Sequence, residues 1–191
     1  MWKIQLFKLN FDERETQAVE STVSGGWLTM GERISSFESA FSEYLGSGTN
    51  CSAVSSGTAA LHLAMLALGI GPGDEVIVPA LTFVADANVV RLVGATPVIA
   101  DCASLSDWNV SVDTIAAKVT ARTKAVIVVH YAGFPCDMTA ITAYCHAKGL
   151  ALVEDAAHAP GAAWAGQMCG TLGDIGCFSF KNAISIDVDI R

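Results

Sequence analysis

Charge is scarce in this sequence, and positive charge is scarcest. Only 16% of the 191 residues are Asp, Glu, Lys or Arg, and 11 Lys and Arg stand against 19 Asp and Glu, a formal net charge of -8. Nucleic-acid backbones are gripped by clustered cations, and the few basic residues here are scattered, which argues against a nucleic-acid partner. A small anion remains possible, because the start of a helix can hold a phosphate without any cation. The six cysteines, Cys51, Cys102, Cys136, Cys145, Cys169 and Cys177, form no CxxC pair and no finger-like spacing. They read as free, mostly buried thiols rather than metal ligands, which fits a cytoplasmic protein. A secretory signal is lacking too, since MWKIQLFKLNFDERE becomes charged early. So is a membrane span: the longest apolar helix, Ala59 to Ile70, carries His62 and is too short to cross a bilayer. Repeats, low-complexity tracts and linkers are absent, so one domain over residues 1–191 is expected.

What the sequence has in quantity is apolar residues, 52% of the total, enough for a substantial core. Near the N-terminus, FDERETQAVESTVS (Phe11 to Ser24) predicts an amphipathic helix ended by Gly25 and Gly26. A second helix is expected over Arg33 to Leu45, where Ile34, Phe37, Phe41, Tyr44 and Leu45 recur at helical steps. Between them lies the apolar loop Trp27 to Gly31. Strands are expected at Cys51 to Val54, Glu75 to Val78, Thr96 to Ala100, Lys124 to His130, Leu150 to Val153 and Gly176 to Phe180. Helices are expected at Ala59 to Ile70, Thr82 to Leu92, Val112 to Val119 and Met138 to Lys148. Strand and helix alternate through short loops, the pattern of an α/β fold with a largely parallel sheet. The last segment, AISIDVDIR, alternates like a strand exposed on one face, and no covering element follows it, so the chain reads as truncated.

Two places carry chemistry. The strand at Leu150 to Val153 runs into Glu154 and Asp155, with His158 three residues on, and open parallel sheets bind ligands at the carboxyl ends of their strands. The second place is Ser55, Ser56, Gly57 and Thr58 at the start of an apolar helix. Their small side chains leave backbone N–H groups open to an anion, although Ser and Thr cap helices in many settings. A lone Lys181 follows the final short strand.

These pieces resemble one family. SGGWLTMG, FESAFSEYLG, AVSSGTAALHLAMLALGIGPGDEVIVPALTFVADANVV, GATPVIADC, VEDAAHAPGA and GDIGCFSF occur in the order and spacing of the DegT/StrS-type sugar-nucleotide aminotransferases. The resemblance implies the aspartate-aminotransferase-like fold (fold type I) of enzymes that use pyridoxal 5'-phosphate (PLP). Residues 1–191 would then be the N-terminal, PLP-binding large domain, with the small C-terminal domain missing. It implies a cofactor phosphate held by Gly57, Thr58 and Ser179, and a pyridine ring stacked on Phe83 with its nitrogen paired to Asp155. His158 would lie near the phenolic oxygen, and Lys181 would bond to the cofactor and shuttle the proton. His130, in HYAGFPCDM, would serve either the substrate side or the positioning of its own loop. The implied reaction moves an amino group from an amino acid, by family expectation glutamate, to a nucleotide-linked keto sugar, in a homodimer.

The match breaks at the lysine. The family places it three residues further beyond FSF, whereas here FSF is followed directly by Lys181 and Asn182. At about 3.3 Å per extended residue the difference is up to ~10 Å, more than a covalent bond tolerates. Either the loop is rebuilt so that Lys181 still reaches, or the reactive lysine is lost and the chain is a non-catalytic remnant. A sugar dehydratase with His in place of the lysine is disfavoured, as no His lies near residue 184.

Overall fold

A computed structural model describes residues 11–46 and 48–180. The chain divides into two compact units, Met1–Ala53 and Val54–Arg191. In the first, α1 (Glu13–Gly25) opens on a capping box: Asp12 accepts the Arg14 N–H at 2.7 Å, and the Asp12 N–H reaches Glu15 at 2.7 Å. Two donors that the first turn would leave orphaned are thereby satisfied. Helix α2 (Glu32–Leu45) lines up Phe37, Phe41 and Tyr44 on one face, with neighbouring ring centroids 5.9 and 6.1 Å apart. The expected strand at Cys51 to Val54 does not form. The Ala53 N–H is satisfied by the Glu38 carboxylate at 2.7 Å and not by a neighbouring strand, so a short apolar run has no ladder to join.

The second unit runs α3 (Gly57–Ala67), β1 (Glu75–Pro79), α4 (Ala85–Leu92), β2 (Thr96–Ala100), α5 (Val112–Ala116), β3 (Thr123–Val129), a 3-10 turn (Tyr131–Gly133), α6 (Met138–Lys148), β4 (Ala151–Asp155), β5 (Ala163–Trp164), β6 (Gln167–Met168) and β7 (Ile175–Cys177). Strands β2, β1, β3, β4 and β7 form one sheet in that order, every pairing parallel. The chain leaves β1 for β2 on one flank and returns to β3 on the other. That reversal opens a crevice at the carboxyl ends, where parallel sheets place their ligands.

The sheet is covered on both faces, so its strands are apolar throughout and their residues are dealt alternately to two cores. Val76, Val78, Ala125, Ile127, Val153 and Cys177 pack against α3 and α4. Ile77, Val126, Val128 and Leu152 pack against Ile115 of α5 and Met138, Ile141 and Cys145 of α6. Helix α6 stops at Gly149, whose φ of 64° is left-handed and suits a residue without Cβ. All six cysteines are free thiols. No helix among the described residues is long and apolar enough to cross a membrane.

Several boundaries depart from expectation. Strand β4 extends to Asp155, so both acids lie within the strand. Strand β7 stops at Cys177, and Phe178 to Phe180 continue as irregular chain. A two-residue hairpin, β5 with β6, occupies a stretch that the sequence leaves as a run of small residues. The alternating AISIDVDIR segment lies outside the described residues.

Ile127 sits fully buried in the central strand under α3 and α4. Ile127→Ala is expected to cost about 2–5 kcal/mol of stability, measured by urea unfolding, because a close-packed site collapses only partly around the lost atoms.

Candidate functional site

Because β4 alternates, Glu154 and Asp155 point to opposite faces of the sheet. Glu154 shares the face of Leu152 and α6, and Asp155 shares that of Val153, α3 and α4. Their surroundings differ accordingly.

Glu154 is fully buried and fully satisfied. Its Oε2 accepts from His130 Nε2 at 2.8 Å and from the Gly170 N–H at 2.7 Å, while Oε1 accepts from the Leu172 and Gly173 N–H groups at 2.6 Å each. Burial pushes this carboxyl up, but the bonds from His130, Gly170 and Gly173 outweigh it and hold it below the usual glutamate value. His130 is fully buried as well, and its Nδ1 accepts the Cys136 N–H at 3.2 Å, which leaves the proton on Nε2 for Glu154. Of the two roles the sequence leaves open for His130, the structure supports the positioning of its own loop. The two side chains tie the loop after β3 to the loop before β7.

Asp155 is buried at the strand end, with one carboxylate oxygen accepting the Ala157 N–H at 2.9 Å. Burial raises its pKa, opposed by that bond and by His158 and His130. His158 is half-buried. Its Nδ1 accepts the Ala132 N–H at 3.3 Å, and its ring meets Tyr131 edge-on at 5.6 Å. Ala132 takes the left-handed conformation at φ 54° to deliver that N–H. With Nδ1 accepting, a neutral His158 carries its proton on Nε2 and can donate it.

Helix α3 begins at Gly57. The Ser56 hydroxyl caps it by accepting the Ala59 N–H at 3.1 Å, and helix geometry leaves the Gly57 and Thr58 N–H groups without intrahelical acceptors. Ser179, from the segment after β7, lies against this turn: a Cβ at Gly57 would stand 3.1 Å from the Ser179 Cβ. Glycine is therefore the residue that lets the two segments meet. Phe83 follows β1 at the same edge of the sheet, 66% exposed. Gly57, Thr58, Ser179, Phe83, Asp155 and His158 thus gather around the carboxyl edge. Lys181 lies outside the described residues.

Sequence reading passed over Asp86, in the first turn of α4, which is fully buried. The Thr82 hydroxyl donates to one of its oxygens, and the other has no partner among the described residues. Burial and then the neighbouring Asp155 raise its pKa to about 8. The available signal was an acid on the apolar face of a short helix, between Ala85 and the buried Val89.

A parallel sheet whose carboxyl edge joins a glycine-started helix, a buried acid and a nearby histidine defines an α/β protein with a polar crevice at that edge. Residues 10–186 match the DegT/DnrJ/EryC1/StrS aminotransferase family, and the chain belongs to that family. It is 40% identical over 178 residues to GDP-perosamine synthase of Escherichia coli O157:H7, covering 93% of this chain and 48% of that one. It is 45% identical over 168 residues to the spore coat polysaccharide biosynthesis protein SpsC of Bacillus subtilis (strain 168), covering 88% and 43%. Among solved structures, Spr1654 from Streptococcus pneumoniae in its PLP form superposes with a TM-score of 0.86 at 32% identity, covering 94% of this chain and 49% of that one. The chain spans under half the length of these relatives.

Glu154→Gln removes a charge from four donors and turns an amide N–H toward two of them. A loss of about 3–5 kcal/mol at neutral pH is expected in urea unfolding. The folded pKa lies below the unfolded value of 4.5, so the wild-type advantage is complete above that value and shrinks as pH falls through the folded one.

Proposed function

We propose that this chain forms the PLP-binding part of a sugar aminotransferase that moves an amino group from an amino acid, glutamate by preference, to the keto carbon of a nucleotide-linked sugar. The observation that carries the reading is the shared face. Helix α3, starting at Gly57, and the buried carboxylate of Asp155 lie on the same side of the sheet and at its carboxyl edge, so one small molecule can touch both. The relatives named for perosamine and for a spore-coat polysaccharide support a sugar acceptor, and the PLP form of Spr1654 supports the cofactor.

The residues present suit a phosphorylated pyridine. Gly57 and Thr58 offer two N–H groups at a helix start, and Thr58 and Ser179 add hydroxyls, a donor set for a phosphate that needs no cation. Asp155 would accept a hydrogen bond from the ring nitrogen and keep a proton there, an interaction that its burial would strengthen. When bound, PLP supplies an electron sink for the pair released as a C–H bond beside nitrogen breaks. His158 donates from Nε2 toward the phenolic oxygen, its ring held by Ala132 and Tyr131. Phe83, exposed at the crevice, provides an apolar platform for one ring face. Lys181 would be the residue that holds and moves the proton at the substrate carbon. The full-length protein would work as a homodimer, and the exposed Trp27, Leu28 and Met30 suit an interface.

A second reading, a binding-only remnant, is favoured by one feature: Lys181 follows Phe180 directly, three residues nearer than the family spacing. Incubation with PLP, borohydride reduction and peptide mapping separate the two. The enzyme reading expects the cofactor fixed on Lys181. Cofactor that binds but washes out after reduction supports the remnant, and no binding at all contradicts both.

A further inference from the structure

Asp86 is an anomaly of the buried interior. Its side chain is fully enclosed beside Ala85, Val89 and Val90, where an ionised carboxylate needs a cation or several donors. It has a single donor, the Thr82 hydroxyl, and its Oδ1 has no partner among the described residues. None of the ion pairs found among the described residues involves it.

The charged group facing it is another acid. Asp155, at the end of β4, comes within hydrogen-bonding reach of Asp86 and is itself only 5% exposed. Cys177 of β7 pairs in register with Asp155 and lies near both carboxylates. Two carboxylates enclosed together cannot both be ionised at modest cost, and one proton shared between them relieves the repulsion. The rest of the surroundings decides which acid keeps it. Asp155 has the Ala157 N–H, with His158 and His130 on its side, whereas among the described residues Asp86 has only a hydroxyl as donor. Asp155 is the better-supported anion, and Asp86 retains the proton.

We propose that Asp86 is a positioning residue: as a neutral acid it donates a hydrogen bond to the Asp155 carboxylate and sets that carboxylate's orientation and charge for the cofactor's ring nitrogen. The shared proton stands on the arrangement of the two side chains, and its use rests on the PLP-binding reading above. Asp86 has its pKa raised to about 8 from 3.8, by burial first and by Asp155 second. Between those two values the folded state holds a proton that the unfolded chain releases, so this contribution to stability is full below 3.8, declines as pH rises and is gone above about 8.

Urea unfolding of the 191-residue chain between about pH 5 and about pH 8, with parallel PLP titrations by absorbance, tests both parts. Asp86→Asn keeps the shape and an N–H donor without a titrating proton. Its folding constant should gain on wild type by about tenfold per pH unit across that range, with PLP affinity within about threefold of wild type. Asp86→Ala lacks the donor and should bind PLP at least about tenfold more weakly. Parallel pH slopes for wild type and Asp86→Asn would overturn the shared proton, and Asp86→Asn alone settles that point if Asp86→Ala does not fold. The expected slope with equal PLP affinity in both variants would overturn the positioning role. The expected slope in a wild-type chain that binds no PLP would leave the proton in place and sink the cofactor reading, and the positioning role with it.

Discussion

Everything at the carboxyl edge follows from the two-residue period of β4. Consecutive residues of a strand cannot face the same side, so Glu154 and Asp155, adjacent in sequence, are committed to different layers. Glu154 is spent on architecture. Its two oxygens gather His130 and three backbone N–H groups, which fixes the loop leading into β7 and, beyond it, the segment that brings Ser179 to Gly57. Asp155 is left with one local N–H and an acidic neighbour, a carboxylate still able to bind something. One acid is fully paired and the other is held in reserve.

Such division of labour has an energetic logic. A buried carboxylate is tolerated when every lone pair has a donor, and Glu154 meets that condition. Asp155 and Asp86 do not, and buried groups left short of partners concentrate where a ligand completes the set. The left-handed Ala132 belongs to the same economy, since its strained backbone presents an N–H to His158 and so selects the tautomer with Nε2 free to donate.

Much of this was legible in the chain. The apolar runs around Glu75, Thr96, Lys124 and Leu150 are bounded by turns or polar residues, and each became a strand of the sheet within two residues of expectation, with β4 running on to Asp155. The family motifs identified the fold and gathered the residues of one edge. What stayed hidden was set by partners distant in sequence. Cys51 to Val54 looks like a strand, but a strand needs a neighbour and Glu38 answers its backbone instead. The β5 and β6 hairpin is built from residues with little periodicity to detect. Asp86 escaped notice because its meaning comes from Asp155, 69 positions away (155 minus 86), and only folding brings the two together.

The central claim is one of placement, and a crystal structure of the chain grown with PLP tests it most directly. The account predicts the phosphate against the N–H groups of Gly57 and Thr58, and the pyridine nitrogen within hydrogen-bonding distance of Asp155. A coenzyme lying on the α6 face, or turned so that its nitrogen points away from Asp155, would contradict it.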